Sequence, residues 1–212
     1  ALSAIGGAKR VLRLVKQYPN KIGCAVWVNP HFEKVDDALY SFIDENRNSV
    51  YALKVHPYES RIKISDKRLL PYLKLARHFS LPLIFHTASD PYSDIRMLFA
   101  LALKNPDLSF VAAHLQLCSD NIEAISLLQK ANNLYADTAW VPLKNAKKVL
   151  LNVGEDRIMF GTDNPVDGLD TLANPLYEKY FRNSVKLPSH YYHNLMANNA
   201  ISLFHLPIAK KN

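Results

Sequence analysis

The chain has 212 residues, of which 49% are hydrophobic and 21% are charged, a composition typical of a globular protein with one core. No apolar run approaches the roughly 18 residues that a membrane span requires, and the first ten residues lack the pattern of a secretory signal peptide. The formal net charge of +7 is scattered along the chain, which favours a solvated basic surface over a nucleic-acid interface.

Helical and strand patterns alternate along the whole chain. The strands are short apolar runs, several of them stopped by proline, and the helices carry apolar residues three or four positions apart. In chain order we predict helix 7–18, strand 21–29, helix 36–47, strand 50–56, helix 65–79, strand 81–87, helix 93–104, strand 108–115, helix 120–131, strand 134–140, helix 142–151, strand 157–163 and a last helix 188–204. Pro71 either marks the first turn of its helix or kinks it, and a long loop is expected before the last helix.

Six strands that alternate with helices predict a parallel sheet of the α/β class, built from strand–helix–strand units. An open, doubly wound sheet would show the same periodicity. No glycine-rich turn follows an early strand, so the fingerprints of a dinucleotide site and of a phosphate loop are absent. Metal-binding residue types at the ends of several strands favour a barrel of the TIM type.

Three apolar strands end on side chains that commonly bind metal ions: His86, His114 and Asp163. Alternate residues of a strand share a face, so the three converge on one site if that face lines the lumen of a barrel. For His86 the alternative is a hydrogen-bonded core histidine. For Asp163 the alternative is a cap of the turn at Asn164-Pro165, since a buried carboxylate is costly without a partner.

Six short stretches carry a family resemblance: Leu53–Pro57 (LKVHP), Leu81–Thr87 (LPLIFHT), Phe110–His114 (FVAAH), Tyr135–Thr138 (YADT), Phe160–Pro165 (FGTDNP) and Asn199–Phe204 (NAISLF). In this order and spacing they resemble the amidohydrolase superfamily, specifically the amidohydrolase-related branch that also contains decarboxylases of aminocarboxymuconate-semialdehyde type. The resemblance runs from about Lys21 to the end of the chain. It implies a (β/α)8 TIM barrel and a metal-dependent enzyme.

The resemblance also implies that this barrel is incomplete. The family's first strand carries a His-x-His pair, and this sequence contains none. If strand 157–163 is the eighth, strand 21–29 is the third, so six of eight strands are present and the N-terminal two are missing. We expect the outer edges of strand 21–29 and strand 157–163 to be exposed. The missing strands precede Ala1 in a longer protein, a partner subunit such as a second copy covers the gap, or the chain is a remnant with altered function.

By the same resemblance, His86, His114 and Asp163 bind a divalent metal ion, and zinc is the ion that His and Asp ligands favour. A metal-bound water then attacks a C–N or C–O bond of a small organic substrate, and Asp163 takes the proton. His114 either binds the metal or positions the substrate and exchanges protons. Structural roles are expected for Asp137 and Trp140.

The expected substrate contacts are Lys54, His56, Asp90, Tyr92 and Asn164. Lys54 and His56 share a strand face. Lys54 either bridges a second metal as a carboxylated lysine or forms an ion pair in the lumen, and His56 either touches substrate or fills the rim. Asp90 and Tyr92 lie on a loop where substrate contacts are usual, with surface solvation as their alternative.

Cys24 and Cys118 are expected to be reduced thiols in apolar surroundings, which favours a cytoplasmic protein. We predict a single domain over residues 1–212 that acts on a small molecule. Besides the hydrolase, three alternatives remain: a non-oxidative decarboxylase or lyase of the same branch, a metal-dependent deoxyribonuclease, and a catalytically inactive barrel. The scattered basic residues argue against the nuclease, and the absent His-x-His pair argues for the inactive barrel.

Overall fold

A computed structural model describes residues 3–166, 168 and 170–208 of the chain. At its centre is a parallel sheet of six strands whose spatial order is the order of the sequence. The strands are β1 Cys24–Val28, β2 Val50–Val55, β3 Leu83–Ala88, β4 Phe110–Leu117, β5 Leu134–Asp137 and β6 Ile158–Met159. A doubly wound sheet would reverse its strand order at a switch point. The uninterrupted order therefore confirms the barrel-type prediction.

Helices lie before β1, between successive strands and after β6, and the right-handed crossover rule places the connecting helices on one side of the sheet. They are α1 Ala4–Gln17, α2 Asp37–Glu45, α3 Pro57–Ser60, α4 Leu70–Phe79, α5 Ile95–Lys104, α6 Ile122–Leu128, α7 Leu143–Asn152, α8 Pro175–Phe181, α9 Ser189–His193 and α10 Asn199–Leu203. Single 3₁₀ turns lie at Lys67–Leu69 and Thr171–Ala173, and a π-helical turn spans Asn194–Asn198. Within the described ranges, no helix has the length and apolar character to cross a membrane.

Burial along the strands shows which face of the sheet meets the helices. In β1, Cys24, Val26 and Val28 are buried while Ala25 and Trp27 are exposed. The buried set belongs to the hydrophobic core between sheet and helices. The exposed set lies on the opposite, concave face, which corresponds to the lumen of a barrel.

The chain's own C-terminal helices cover the outer edge of β6. Phe160 N donates a hydrogen bond to Leu195 O at 2.7 Å, and Asn199 Nδ2 donates to Ile158 O at 2.7 Å. Leu195 lies in the π-helical turn, whose i→i+5 hydrogen bonds interrupt the regular α-helical pattern. The expectation of an exposed edge on this strand is therefore wrong, because helical groups occupy the positions that a neighbouring strand would take.

Two predicted strands are shorter than the sequence pattern suggested. The run 157–163 contains only the two strand residues Ile158–Met159, and 134–140 ends as a strand at Asp137. At the far ends of the two predicted runs, Asp163 and Trp140 have left-handed φ angles of 65° and 64°, so neither residue is extended. In both predicted runs the sequence pattern extends beyond the last residue that pairs with a neighbouring strand.

Two predicted helical features are resolved. Helix 65–79 is a 3₁₀ turn followed by α4, with Pro71 in the first turn of α4, where its missing amide N–H costs nothing. The expected long loop before the last helix contains α8, which begins at Pro175 and is capped by Asn174.

Cys24 is buried as expected, but Cys118 is exposed, so the prediction of two core thiols is wrong for Cys118.

Candidate active site

The ends of three neighbouring strands bring three histidine rings together. His56 directly follows β2, His86 lies on β3 and His114 on β4. The rings of His56 and His86 stack with centroids 3.9 Å apart and planes 13° apart. The ring of His114 meets His86 edge-on at 4.8 Å. The cluster lies at the carboxyl end of the sheet, where barrel enzymes carry their active sites.

Burial keeps two of these imidazoles uncharged. Burial, followed by the neighbouring rings of His56 and His114, lowers the pKa of His86 to about 3. Burial, followed by the Lys54 ammonium, lowers the pKa of His56 to about 4. Both rings are therefore neutral at pH 7, the form in which imidazole binds metal ions or donates a hydrogen bond.

His56 has a defined tautomer. It is the N-cap of α3, and its Nδ1 accepts a hydrogen bond from Glu59 N at 3.4 Å. A neutral ring whose Nδ1 accepts carries its proton on Nε2. His56 can therefore offer an Nε2–H donor to a ligand.

Trp140 holds the carboxylate of Asp163. Its Nε1 donates to Asp163 Oδ2 at 3.1 Å. Trp140 N in turn donates to the hydroxyl of Tyr177 at 2.9 Å, and that hydroxyl donates to Thr162 O at 2.7 Å. Sequence reasoning gave Trp140 a structural role only. A tryptophan at a strand end is its one sequence signal, and the contact with Asp163 depends on the tertiary fold.

Asp137 and Thr87 fix the backbone around His114. Asp137 Oδ1 accepts hydrogen bonds from His114 N at 2.9 Å and from Ala139 N at 3.1 Å. The Thr87 hydroxyl donates a hydrogen bond to Ala113 O at 2.6 Å and accepts one from Gln116 N at 3.0 Å. These bonds hold His114, Leu115 and Gln116 in left-handed conformations with φ of 69°, 46° and 70°, a strained geometry for residues other than glycine.

Lys54 lies on β2 opposite Trp27, and the carboxylates of Asp137 and Asp163 attract its charge without touching it. Burial lowers the pKa of Lys54, while the carboxylates of Asp137 and Asp163 raise it. Among the described residues none forms a direct salt bridge with Lys54. The expected lumen ion pair is thus replaced by a longer-range attraction to two carboxylates.

The three loop residues predicted to contact substrate form hydrogen bonds within their loops. Asp90 Oδ1 accepts from Tyr92 N at 2.7 Å and from Ser93 N at 3.0 Å. Asn164 Nδ2 donates to Thr171 Oγ1 at 2.9 Å. Asp90 also lies close enough to His56 to raise its pKa slightly. These bonds shape the rim of the site, and the substrate contacts of Asp90, Tyr92 and Asn164 stay predictions.

The donor types in this cluster fit a divalent cation. His86 is neutral, and His114 Nδ1 is buried without a hydrogen-bond partner in the described part of the chain. In the tautomer that carries its proton on Nε2, such a nitrogen has an unused lone pair for a ligand. The set is incomplete, because the described residues assemble no group of three His, Cys, Asp or Glu side chains able to hold one ion.

The sequence matches the model of one protein family. A sequence model of the amidohydrolase family matches residues 8–206, which is most of the chain. No curated protein matches the chain.

Solved structures share the fold at low identity. A 5-carboxyvanillate decarboxylase from Novosphingobium aromaticivorans, solved with manganese, has a TM-score of 0.70 and 13% identity over 96% of this chain and 70% of that chain. A dihydroorotase from Campylobacter jejuni has a TM-score of 0.66 and 17% identity over 99% of this chain and 73% of that chain. An uncharacterised TIM-barrel protein from Bordetella bronchiseptica has a TM-score of 0.65 and 17% identity over 97% of this chain and 73% of that chain. These similarities show that the fold is that of a TIM barrel.

Proposed function

Because this chain belongs to the amidohydrolase family of enzymes, we propose that it is a metal-dependent hydrolase acting on a C–N or C–O bond of a small organic substrate. The observation that carries the proposal is the neutral His86 ring in edge contact with His114, whose buried Nδ1 has no partner within the described residues. We also propose that residues 1–212 form one domain. The two free cysteines support a reducing compartment such as the cytoplasm.

His86 and His114, whose rings are in contact, would each supply a ligand to the ion, and the ion would have to draw Asp163 towards them, because no three such side chains among the described residues are placed to hold one ion. Two imidazoles with a carboxylate favour zinc. When bound, such an ion supplies a Lewis acid that lowers the pKa of water to about 7. Asp163 would accept the proton of the attacking water at Oδ1, because the indole of Trp140 already donates a hydrogen bond to Oδ2. His56 orients the substrate through its Nε2–H.

A decarboxylase is the second candidate, favoured by the decarboxylase among the structural neighbours. In that reaction the bond between a ring carbon and a carboxylate breaks, carbon dioxide leaves and a proton takes its place. The proton-carrying groups named above suit this step as well as hydrolysis. The product distinguishes the two, since hydrolysis consumes one water and releases no carbon dioxide.

Metal binding by the purified chain tests the proposal. Titration calorimetry with zinc and with manganese should give one ion per chain, and His86→Ala should weaken binding at least tenfold, because a ligand is removed. His190→Ala is the matched control, since His190 lies on the surface with a side chain 63% exposed. A wild-type chain that binds neither ion would contradict the proposal and favour the inactive barrel.

A further inference from the structure

Trp27 is an unusual residue for an edge strand. Its side chain is 51% exposed, and it lies on the concave face of β1 in register with Lys54 of β2. The three buried residues of β1 face the helices instead. An exposed tryptophan here is therefore on the same face as the histidine cluster.

The indole continues a stack that reaches into the site. The rings of Trp27 and His56 have centroids 5.7 Å apart and planes 14° apart. His56 stacks in turn on His86. Trp27 is thus the outermost of three nearly parallel rings, with one face against His56 and half of its surface open.

More aromatic side chains lie in the segments that directly follow β1, β2 and β3. Phe32, in the loop after β1, is 73% exposed, and Tyr58, in α3 after β2, is 55% exposed. Tyr58 meets Tyr92, in the loop after β3, edge-on at 6.3 Å. Loops after parallel strands form the substrate entrance of a barrel. Exposed apolar side chains grouped at such an entrance indicate a binding surface.

We infer that Trp27 is a specificity-determining residue that stacks against a planar, conjugated part of the substrate. A flat ring matches the open indole face and continues the parallel stack, whereas a puckered saturated ring of equal size does not. The inference rests on the proposed function, since it names the substrate class of the same site. Lys54 is a predicted substrate contact and would attract any carboxylate, so the probes must share that group.

Benzoate and cyclohexanecarboxylate are suitable probes because both carry one carboxylate on a six-membered ring and differ in planarity. Calorimetry on the full chain should show benzoate binding about three- to tenfold more tightly. The chain has two tryptophans, so subtracting the fluorescence of Trp27→Phe from that of the wild type isolates Trp27. Benzoate should quench this difference signal.

Two variants and a control complete the experiment. Trp27→Leu should remove the preference for benzoate, because it keeps apolar area and loses the flat face, whereas Trp27→Phe should keep most of it. Tyr18→Ala removes an aromatic side chain that is 46% exposed at the end of α1 and should leave both affinities unchanged.

Equal affinities for the two probes, or binding of neither, would overturn the inference. So would a Trp27 signal that acrylamide cannot quench, because another chain segment would then cover the indole. Metal titration of the same samples separates this inference from the proposed function. If benzoate is preferred but no metal binds, the hydrolase proposal fails and the stacking contact stands.

Discussion

At the scale of single residues, the candidate site is built where strands turn sharply. His114, Trp140 and Asp163 have φ angles of 69°, 64° and 65°. For residues other than glycine this conformation costs on the order of 1 kcal/mol each and persists only where surrounding contacts impose it. Here hydrogen bonds from His114 N to Asp137 and from Trp140 N to Tyr177 impose it. The geometry of the site therefore depends on Asp137 and Tyr177, which are not among the predicted metal ligands.

Trp140→Phe tests this dependence. The change removes the Nε1–H donor to Asp163 Oδ2 and keeps an aromatic ring of similar packing. We expect metal affinity to fall about 10- to 100-fold, the usual cost of losing a partner of a metal ligand. Calorimetry with zinc measures the change, and a thermal melt should show the folded structure intact.

Trp27→Phe is the control for Trp140→Phe, because it alters the other tryptophan and leaves the hydrogen bond to Asp163 in place. A Trp140→Phe chain with wild-type metal affinity would show that Asp163 needs no such support. It would also remove the reason for assigning the proton to Oδ1.

At the scale of elements, the C-terminal helices act as the neighbour of β6. Asn199 Nδ2 donates to Glu155 O and to Ile158 O, both at 2.7 Å. The side chain is buried, so water cannot replace these bonds without opening the packing. The sheet edge is thereby satisfied within the chain.

Asn199→Ala should destabilise the fold by about 1–3 kcal/mol, because it leaves two buried carbonyl groups without donors. Urea unfolding followed by circular dichroism measures the difference. Asn152→Ala makes the same change at an exposed position in α7 and should shift stability by less than about 0.5 kcal/mol. Equal effects of the two substitutions would show that the helices do not support the edge of β6.

At the scale of the whole molecule, one core joins the six strands and their helices, and Cys24 lies inside it. Cys24 is 1% exposed, and burial raises its thiol pKa to about 11. At pH 8 only about one such thiol in a thousand is ionised, and alkylation requires the thiolate. Cys24 should therefore react only when the molecule opens globally.

Iodoacetamide at pH 8 should label the exposed Cys118 within minutes and leave Cys24 unlabelled until denaturant is added. Peptide mass spectrometry separates the two sites, and Cys118→Ser serves as the control for assignment. Rapid labelling of Cys24 in the native protein would show that β1 opens locally, as an edge strand without a second neighbour could.

The sequence predicted the fold because strand and helix periodicity are local signals. All six strands were found near their observed positions, and the barrel type followed from their regular alternation with helices. The strands before Trp140 and Asp163 were predicted too long, since composition does not report where the hydrogen-bonded pairing of two strands ends. The covered edge of β6 was missed because it depends on Leu195 and Asn199, both more than 30 residues away along the chain.

For the candidate site, the sequence by itself predicted that His56, His86, His114 and Asp163 lie in or just after the carboxyl-terminal parts of their strands. A strand end is encoded locally, and parallel strands deliver their ends to one side. Only the tertiary structure decided which side chains support or extend that set, namely the Trp140 bond to Asp163 and the Trp27 stack on His56. Such contacts join strands through side-chain direction and distance, which no local pattern contains.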